Sequence, residues 1–305
     1  MVQEWYSIFQ KMGAKTGFSV SLLEYPATGM HNTSIPDEVV RAIRKSHLVL
    51  AMTEYSASAP LISLCRTKDS HTRGASMPGV EKRMEHTAFQ ADYQMVKRYA
   101  LTIQKMLKNA IGADIRFSTG DTLFLDLRNR VANADTGECT SPGQFINFPS
   151  GEACKVPYEA AADEITQFGE SKTAGIWPAS IDGEPMTFIV KNNRIVNIIG
   201  AGKKAEGLRM FFQENETRRN VAELGIGCNP KAIITGNVLE DEKVGLHIAY
   251  GISTQLGGKV TSDMHEDLCY SKGCPVEGTS VVLRNVDGST TELIRDALLR
   301  YELLR

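Results

Sequence analysis

The sequence predicts an α/β plus α+β fold, an N-terminal parallel-sheet domain at residues 1–130 followed by a β-rich C-terminal domain at residues 131–305. Three observations predict it. Strand-like and helix-like patterns alternate before residue 55, the cadence of a βαβ unit. After Gly112 the texture changes to short runs of period two, which marks strands with one buried face. A chain of 305 residues, 42% hydrophobic and 23% charged, is also long enough to bury two ordinary cores.

Trp5-Tyr-Ser-Ile-Phe-Gln-Lys-Met12 carries apolar residues at helical spacing and is expected to stop at Gly13. Phe18 to Glu24 alternates and predicts a strand. Pro36-Asp-Glu opens a helix, because proline suits the first turn and the two acids complement the helix dipole. That helix ends before the apolar strand Leu48 to Met52. A loop rich in Ser, Thr, Arg and Gly, from Lys68 to Gly79, leads to a long helix from about Val80 to Ala110. The change of domain is expected between residues 110 and 135. Alternating strands follow at 114–117, 122–127, 186–190 and 194–199, the last two joined by a hairpin turn at Lys191-Asn-Asn193. One helix interrupts them, from Lys203 to Glu214.

Thirty-four basic against thirty-six acidic residues leave a net charge near −2, and no basic stretch interleaved with aromatics could track phosphates. Nucleic acid is therefore not expected as a partner. No apolar run approaches the length of a membrane span, and the N-terminus lacks a basic-then-apolar leader, so a cytoplasmic protein is expected. The six cysteines form no C-x-x-C pair and are read as free thiols, with Cys269 and Cys274 near enough to the candidate ligands below to serve as soft donors. Gly200-Ala-Gly202-Lys-Lys-Ala-Glu-Gly207 has the wrong spacing for a dinucleotide loop, and no nucleophile elbow is present.

The chemistry concentrates in the second half. Val244-Gly-Leu-His247-Ile-Ala-Tyr250-Gly251 and Met264-His265-Glu266-Asp267 supply two imidazoles and a carboxylate. On a strand His265 and Asp267 point the same way, so they and His247 from a neighbouring strand are expected to close on one metal ion. Glu152 follows Pro149 and Gly151, which would hold it on a rigid turn. Glu223 stands alone in an apolar, glycine-rich segment, where a buried charge needs a cation or a nearby arginine such as Arg218 or Arg219. Glu240-Asp-Glu-Lys243 reads as a solvated turn. His31 and His47 read as loop and helix-end residues and His86 as helical, while His71, on a polar loop, is a candidate for proton transfer.

Taken in order, Asn147-Phe-Pro-Ser-Gly-Glu152, Glu223-Leu-Gly, Asp241-Glu-Lys-x-Gly-x-His247-Ile-Ala-x-Gly251 and His265-x-Asp267 resemble the signature blocks of the aminopeptidase T metallopeptidase family and its relatives, which include 2,5-dihydroxypyridine dioxygenases. The likeness extends back through Asp135-Thr-Gly137 and Met77-Pro-Gly79, but such proteins usually begin with a further strand and helix. In the peptidase branch the resemblance implies two divalent metals, and Glu152, Glu223, His247, His265 and Asp267 match the ligands. The family's tyrosine is expected where this chain has Thr254, and Tyr250 is the nearest phenol.

The leading expectation is a metal-dependent hydrolase of the aminopeptidase T type, using zinc, cobalt or manganese, with Glu152, Glu223, His71 and Tyr250 as candidate catalytic groups and short peptides as substrates. The alternative is a mononuclear Fe(II) dioxygenase that cleaves a hydroxylated pyridine or aromatic ring, with His247, His265 and Asp267 as ligands. A catalytically inactive binding protein on the same fold is the third reading, and a homodimer is expected in each case.

Overall fold

Three parallel strands, Leu48–Ala51, Arg73–Ser76 and Phe145–Asn147, form a small sheet in that order, and helix Ser58–Cys65 carries the chain from the first to the second. In the computed structural model, which describes residues 1–29 and 34–305, this sheet belongs to a compact unit of residues 1–90 and 137–149. The remaining residues, 91–136 and 150–305, form a second unit. The expected change-over near residue 130 thus becomes two discontinuous stretches, because Phe145–Asn147 pairs in parallel with Arg73–Ser76 and draws residues 137–149 into the first unit.

The parallel unit exists, but its elements differ from the expected ones. Helix Val2–Thr16 continues through Gly13 and ends at Gly17, whose φ of 85° closes it with a left-handed residue. Gly13 is a packing position instead of a stop, since a Cβ there would lie 2.3 Å from the carbonyl oxygen of Phe18. Residues 18–24 alternate in polarity yet form no strand, because no neighbouring strand pairs with them; Phe18 and Leu23 are exposed. Pro36 precedes helix Asp37–Ile43 as expected. His31 lies outside the described residues. The long helix starts later than expected, at Tyr93, after two short 3₁₀ turns; Asp92 caps it by accepting from the backbone N–H groups of Gln94 and Met95.

The second unit is β-rich, with an eight-stranded and a five-stranded sheet whose strand pairs are all antiparallel. The eight-stranded sheet contains the Glu184–Lys191 and Arg194–Ile199 hairpin, turned at Asn192 and Asn193 with φ of 49° and 63°. Asparagine adopts that left-handed pair more readily than most residues. Helix Lys203–Glu214 has the expected bounds, and the Glu184 carboxylate accepts from the backbone N–H of Lys204 at its N-terminus, where a nucleotide phosphate would otherwise have to sit.

The five-stranded sheet runs Ala132–Asp135, Glu152–Lys155, Val221–Gly227, Leu246–Gly251, His265–Cys269 across its width. One face joins the main core through Ala153, Leu224, Ile226, Leu246, Ile248 and Tyr250. In the same core, Trp177 donates its indole N–H to the Tyr270 hydroxyl, which donates in turn to the carbonyl of Pro178. The six cysteines are free thiols, as expected. Among the described residues no helix is long and apolar enough to cross a membrane.

Helix Tyr93–Asn109 packs on the Glu152 strand and is tied to it by Lys155, whose buried ammonium donates to the carbonyls of Leu107 and Ala110, each at 2.9 Å. The Leu107 carbonyl also accepts from the cap N–H of Ala110, so Lys155 adds its donors at the end of the helix, where the regular ladder stops. Replacing Lys155 by Met, which preserves length but removes the donors, is expected to lower unfolding free energy by about 1–3 kcal/mol with little change in m-value in urea titrations.

Candidate metal centre

The register of the five-stranded sheet decides which side chains meet. Glu223 and Asp267 both pair with Ala249, Gly225 pairs with His247, Gly227 with Glu152, and His265 with Gly251. Residues opposite each other in a sheet share a face. Glu152, Glu223, His247, His265 and Asp267 therefore project from one side, above a floor of Gly225, Gly227, Ala249 and Gly251. The small floor is a steric requirement: a Cβ on Gly225 would lie 1.8 Å from Nε2 of His247.

Glu223 sits between the two imidazoles. Its Oε2 lies 3.1 Å from Nε2 of His265 and its Oε1 lies 3.7 Å from Nε2 of His247. Nε2 of His265 is also 3.5 Å from Oδ1 of Asp267, and its Nδ1 is 2.8 Å from the carbonyl of Ile252, which aims Nε2 into the cluster. Donor atoms of Glu223, His265 and Asp267 all lie within 4.8 Å of one another. Glu152 joins from the next strand, with Oε2 3.3 Å from Nε2 of His247 and Oε1 accepting from Nζ of Lys243 at 2.8 Å. Lys243 also pairs with Glu242 at 2.5 Å.

Burial opposes charge on Glu223, His247 and His265, yet their mutual attraction exceeds it. Burial would raise the Glu223 carboxyl, but the two histidines hold it well below the usual carboxylate range. Burial would lower His247, but its pairing with Glu223 and the charge of Glu152 push it up to about 9; His265 is raised further by Asp267 and Glu223. The pocket is thus built for positive charge. Oδ1 of Asp267 is buried without a hydrogen-bond partner. The imidazole of His265 with the carboxylates of Glu223 and Asp267, and the His247 ring beside Glu223, offer nitrogen and oxygen donors that suit Fe(II), Zn, Co or Mn, and the Asp267 oxygen, 3.5 Å from His265, has a lone pair such an ion would take up.

The structure brings Glu152, Glu223, His247, His265 and Asp267 onto one sheet face, and Tyr250 is not among them. Tyr250 alternates to the opposite face, buried among Trp177, Phe188 and Phe212 with ring centroids 5.4 to 6.3 Å away, so it is a core residue without access to the cluster. His71 lies in the first unit, its ring 5.1 Å from that of His47. Thr254 is exposed on a short 3₁₀ turn beyond the His247 strand. Glu152 begins a strand directly after Gly151, whose φ of 121° makes the bend, and does not lie on a turn. Cys269 shares the ligand face, but burial and the acids around it push its thiol well up, so it remains protonated; neither it nor Cys274 joins the donor group. Arg218 pairs with Asp263 and Arg219 with Glu216, so neither neutralises Glu223.

Sequence reasoning missed Lys243. Glu240 to Lys243 form a buried segment and no solvated turn: Asp241 accepts from the backbone of Thr235 and Gly236, and the Lys243 side chain is wholly enclosed. The available signal was its position four residues before His247, within the same block of sequence.

The family model for 2,5-dihydroxypyridine 5,6-dioxygenase matches residues 18–282. A 2,5-dihydroxypyridine 5,6-dioxygenase of Pseudomonas putida is 26% identical over 189 residues, covering 56% of this chain; the match spans 52% of that relative's length. Among solved structures, the 2,5-dihydroxypyridine dioxygenase of Pseudomonas putida superimposes with a TM-score of 0.63 at 18% identity, over 88% of this chain and 76% of its own. AmpT from Thermus thermophilus does so with a TM-score of 0.57 at 14% identity, over 87% and 79%. The mixed α/β fold is thus common to both kinds of protein.

Two substitutions check this geometry. Gly225→Ala is expected to displace the His247 ring and lower bound metal by more than about tenfold, with circular dichroism unchanged. Tyr250→Phe is expected to leave metal content unaltered and kcat/KM within about twofold, since the ring packing survives and the hydroxyl faces away from the donors.

Proposed function

Because the chain belongs to the 2,5-dihydroxypyridine 5,6-dioxygenase family, we propose that it is a metal-dependent dioxygenase that opens a hydroxylated pyridine or related hydroxylated aromatic ring. What supports this reading is that His247, His265 and Asp267 share one sheet face with Glu223, whose donor oxygen lies within 4.8 Å of the donor atoms of His265 and Asp267, in a chain of that family. These three residues would hold a single Fe(II), and bound Fe(II) supplies the one-electron chemistry through which a ring and dioxygen react.

The chain's own residues provide the rest. The carbonyl of Ile252 fixes the His265 ring, and Glu223 balances the charge of both imidazoles. Glu152 has one oxygen held by Lys243 and presents the other beside His247, where it accepts the proton of a ring hydroxyl. Burial of Glu223, His247 and Lys243 keeps bulk water from the donors, which strengthens each of these electrostatic contacts.

A second reading, a hydrolase of the aminopeptidase T type acting on short peptides, draws support from the likeness to AmpT and from Glu152 and Glu223 sharing the face of the histidines. It requires two ions and a phenol, and the position of that phenol is the exposed Thr254.

Metal analysis of protein purified under argon, with oxygen-electrode assays on 2,5-dihydroxypyridine, separates the readings. About one iron per chain with oxygen uptake is expected, and His265→Ala is expected to lose both by more than about tenfold. About two zinc or cobalt ions per chain, with release of N-terminal residues from peptides, would establish the hydrolase instead. A protein with neither activity nor metal would be a binding module on this fold.

A further inference from the structure

We propose that Lys243 is a built-in cation that restricts the centre to one metal ion, its ammonium taking the place where a second ion would bind. The inference rests on the single-ion reading above.

Glu152 spans two positively charged groups, with Oε1 2.8 Å from Nζ of Lys243 and Oε2 3.3 Å from Nε2 of His247. That is how a carboxylate bridges two cations, with the ammonium occupying one end. Glu242 approaches the same Nζ at 2.5 Å, and Asp135, opposite Glu152 in the sheet, adds its negative charge. A wholly buried ammonium costs several kcal/mol to desolvate, roughly, and persists only where carboxylates surround it. The backbone is built to bring it there: a Cβ on Gly227 would lie 2.3 Å from the carbonyl oxygen of Glu242 and from the carbonyl carbon of Lys243. Gly227 therefore lets the Glu242–Lys243 segment lie directly on the ligand-bearing face.

An ammonium differs from a metal ion in what it permits. It is a compact point charge with three rotatable donors, has no open coordination position, and cannot be exchanged or removed by a chelator. Glu152 is consequently withdrawn from direct ligation, which leaves its second oxygen free to act as the proton acceptor beside His247. Lys243 would thereby separate single-ion chemistry from two-ion chemistry on a sheet whose other donors could serve either.

The test is a count of cobalt(II) bound per chain after equilibration with excess cobalt and gel filtration, together with thermal melting in its presence. One ion is expected for the wild-type chain and for Lys243→Arg, two for Lys243→Met, and one again when Lys243→Met is combined with Glu152→Gln. Saturating cobalt is also expected to raise the melting temperature of Lys243→Met by more than it raises that of the wild type, because the ion replaces the missing charge. One ion in both wild type and Lys243→Met overturns this inference and leaves the single-ion reading standing. Two ions in the wild type overturn both. A Lys243→Met chain that stays unfolded in saturating cobalt also refutes the substitution of ion for ammonium.

Discussion

Glu223 carries its negative charge on a strand with no exposed residue, and the centre is organised around that charge. An isolated carboxylate in such surroundings would take up a proton; this one remains ionised because two imidazoles flank it. The dependence is reciprocal, since His247 and His265 hold their protons against burial only because carboxylates face them. A metal ion entering the cluster would displace those protons and inherit the same attraction. The protein therefore stores, in a set of ion pairs, the electrostatic demand that a cation satisfies.

Bringing these groups together depends on a property of sheets more than on any one residue. Side chains alternate with period two, so an antiparallel sheet in one register sorts its residues into two populations. In the five-stranded sheet one population is the apolar core and the other is the polar cluster. A slip of one residue in the His247 strand would send both histidine and core residues to the wrong side. Gly225 limits which sequences can meet the condition, because the imidazole occupies the space of its missing side chain.

Much of this was legible before coordinates. The spacing of His265 and Asp267 already implied a common face, and the isolation of Glu223 among apolar residues implied a buried partner, because both follow from local periodicity and desolvation. The hairpin at Asn192-Asn193 and the helix Lys203–Glu214 were legible for the same reason. What was not legible depends on partners distant in sequence. Phe18 to Glu24 has the alternation of a strand but lacks a neighbour. Lys243 looked solvated because a charge run normally is; only the fold shows that Glu152, ninety-one residues earlier, covers it. Matching ligands one by one places the hydrolase ahead of the dioxygenase, whereas similarity across residues 18–282 favours the dioxygenase.

The strand Phe145–Asn147 has a consequence for how the polypeptide is made. It completes the parallel sheet only after the chain has left the first unit at residue 90 and traversed residues 91–136 of the second. On a ribosome, the N-terminal portion must wait with an unfinished sheet edge until that late strand emerges, and the second unit then waits for just over half the polypeptide still to come. Neither unit is a contiguous cassette that a single protease nick could release or a single gene fusion could transplant. Interrupted segments of this kind mean that the chain has to be cut at more than one place to separate the two units.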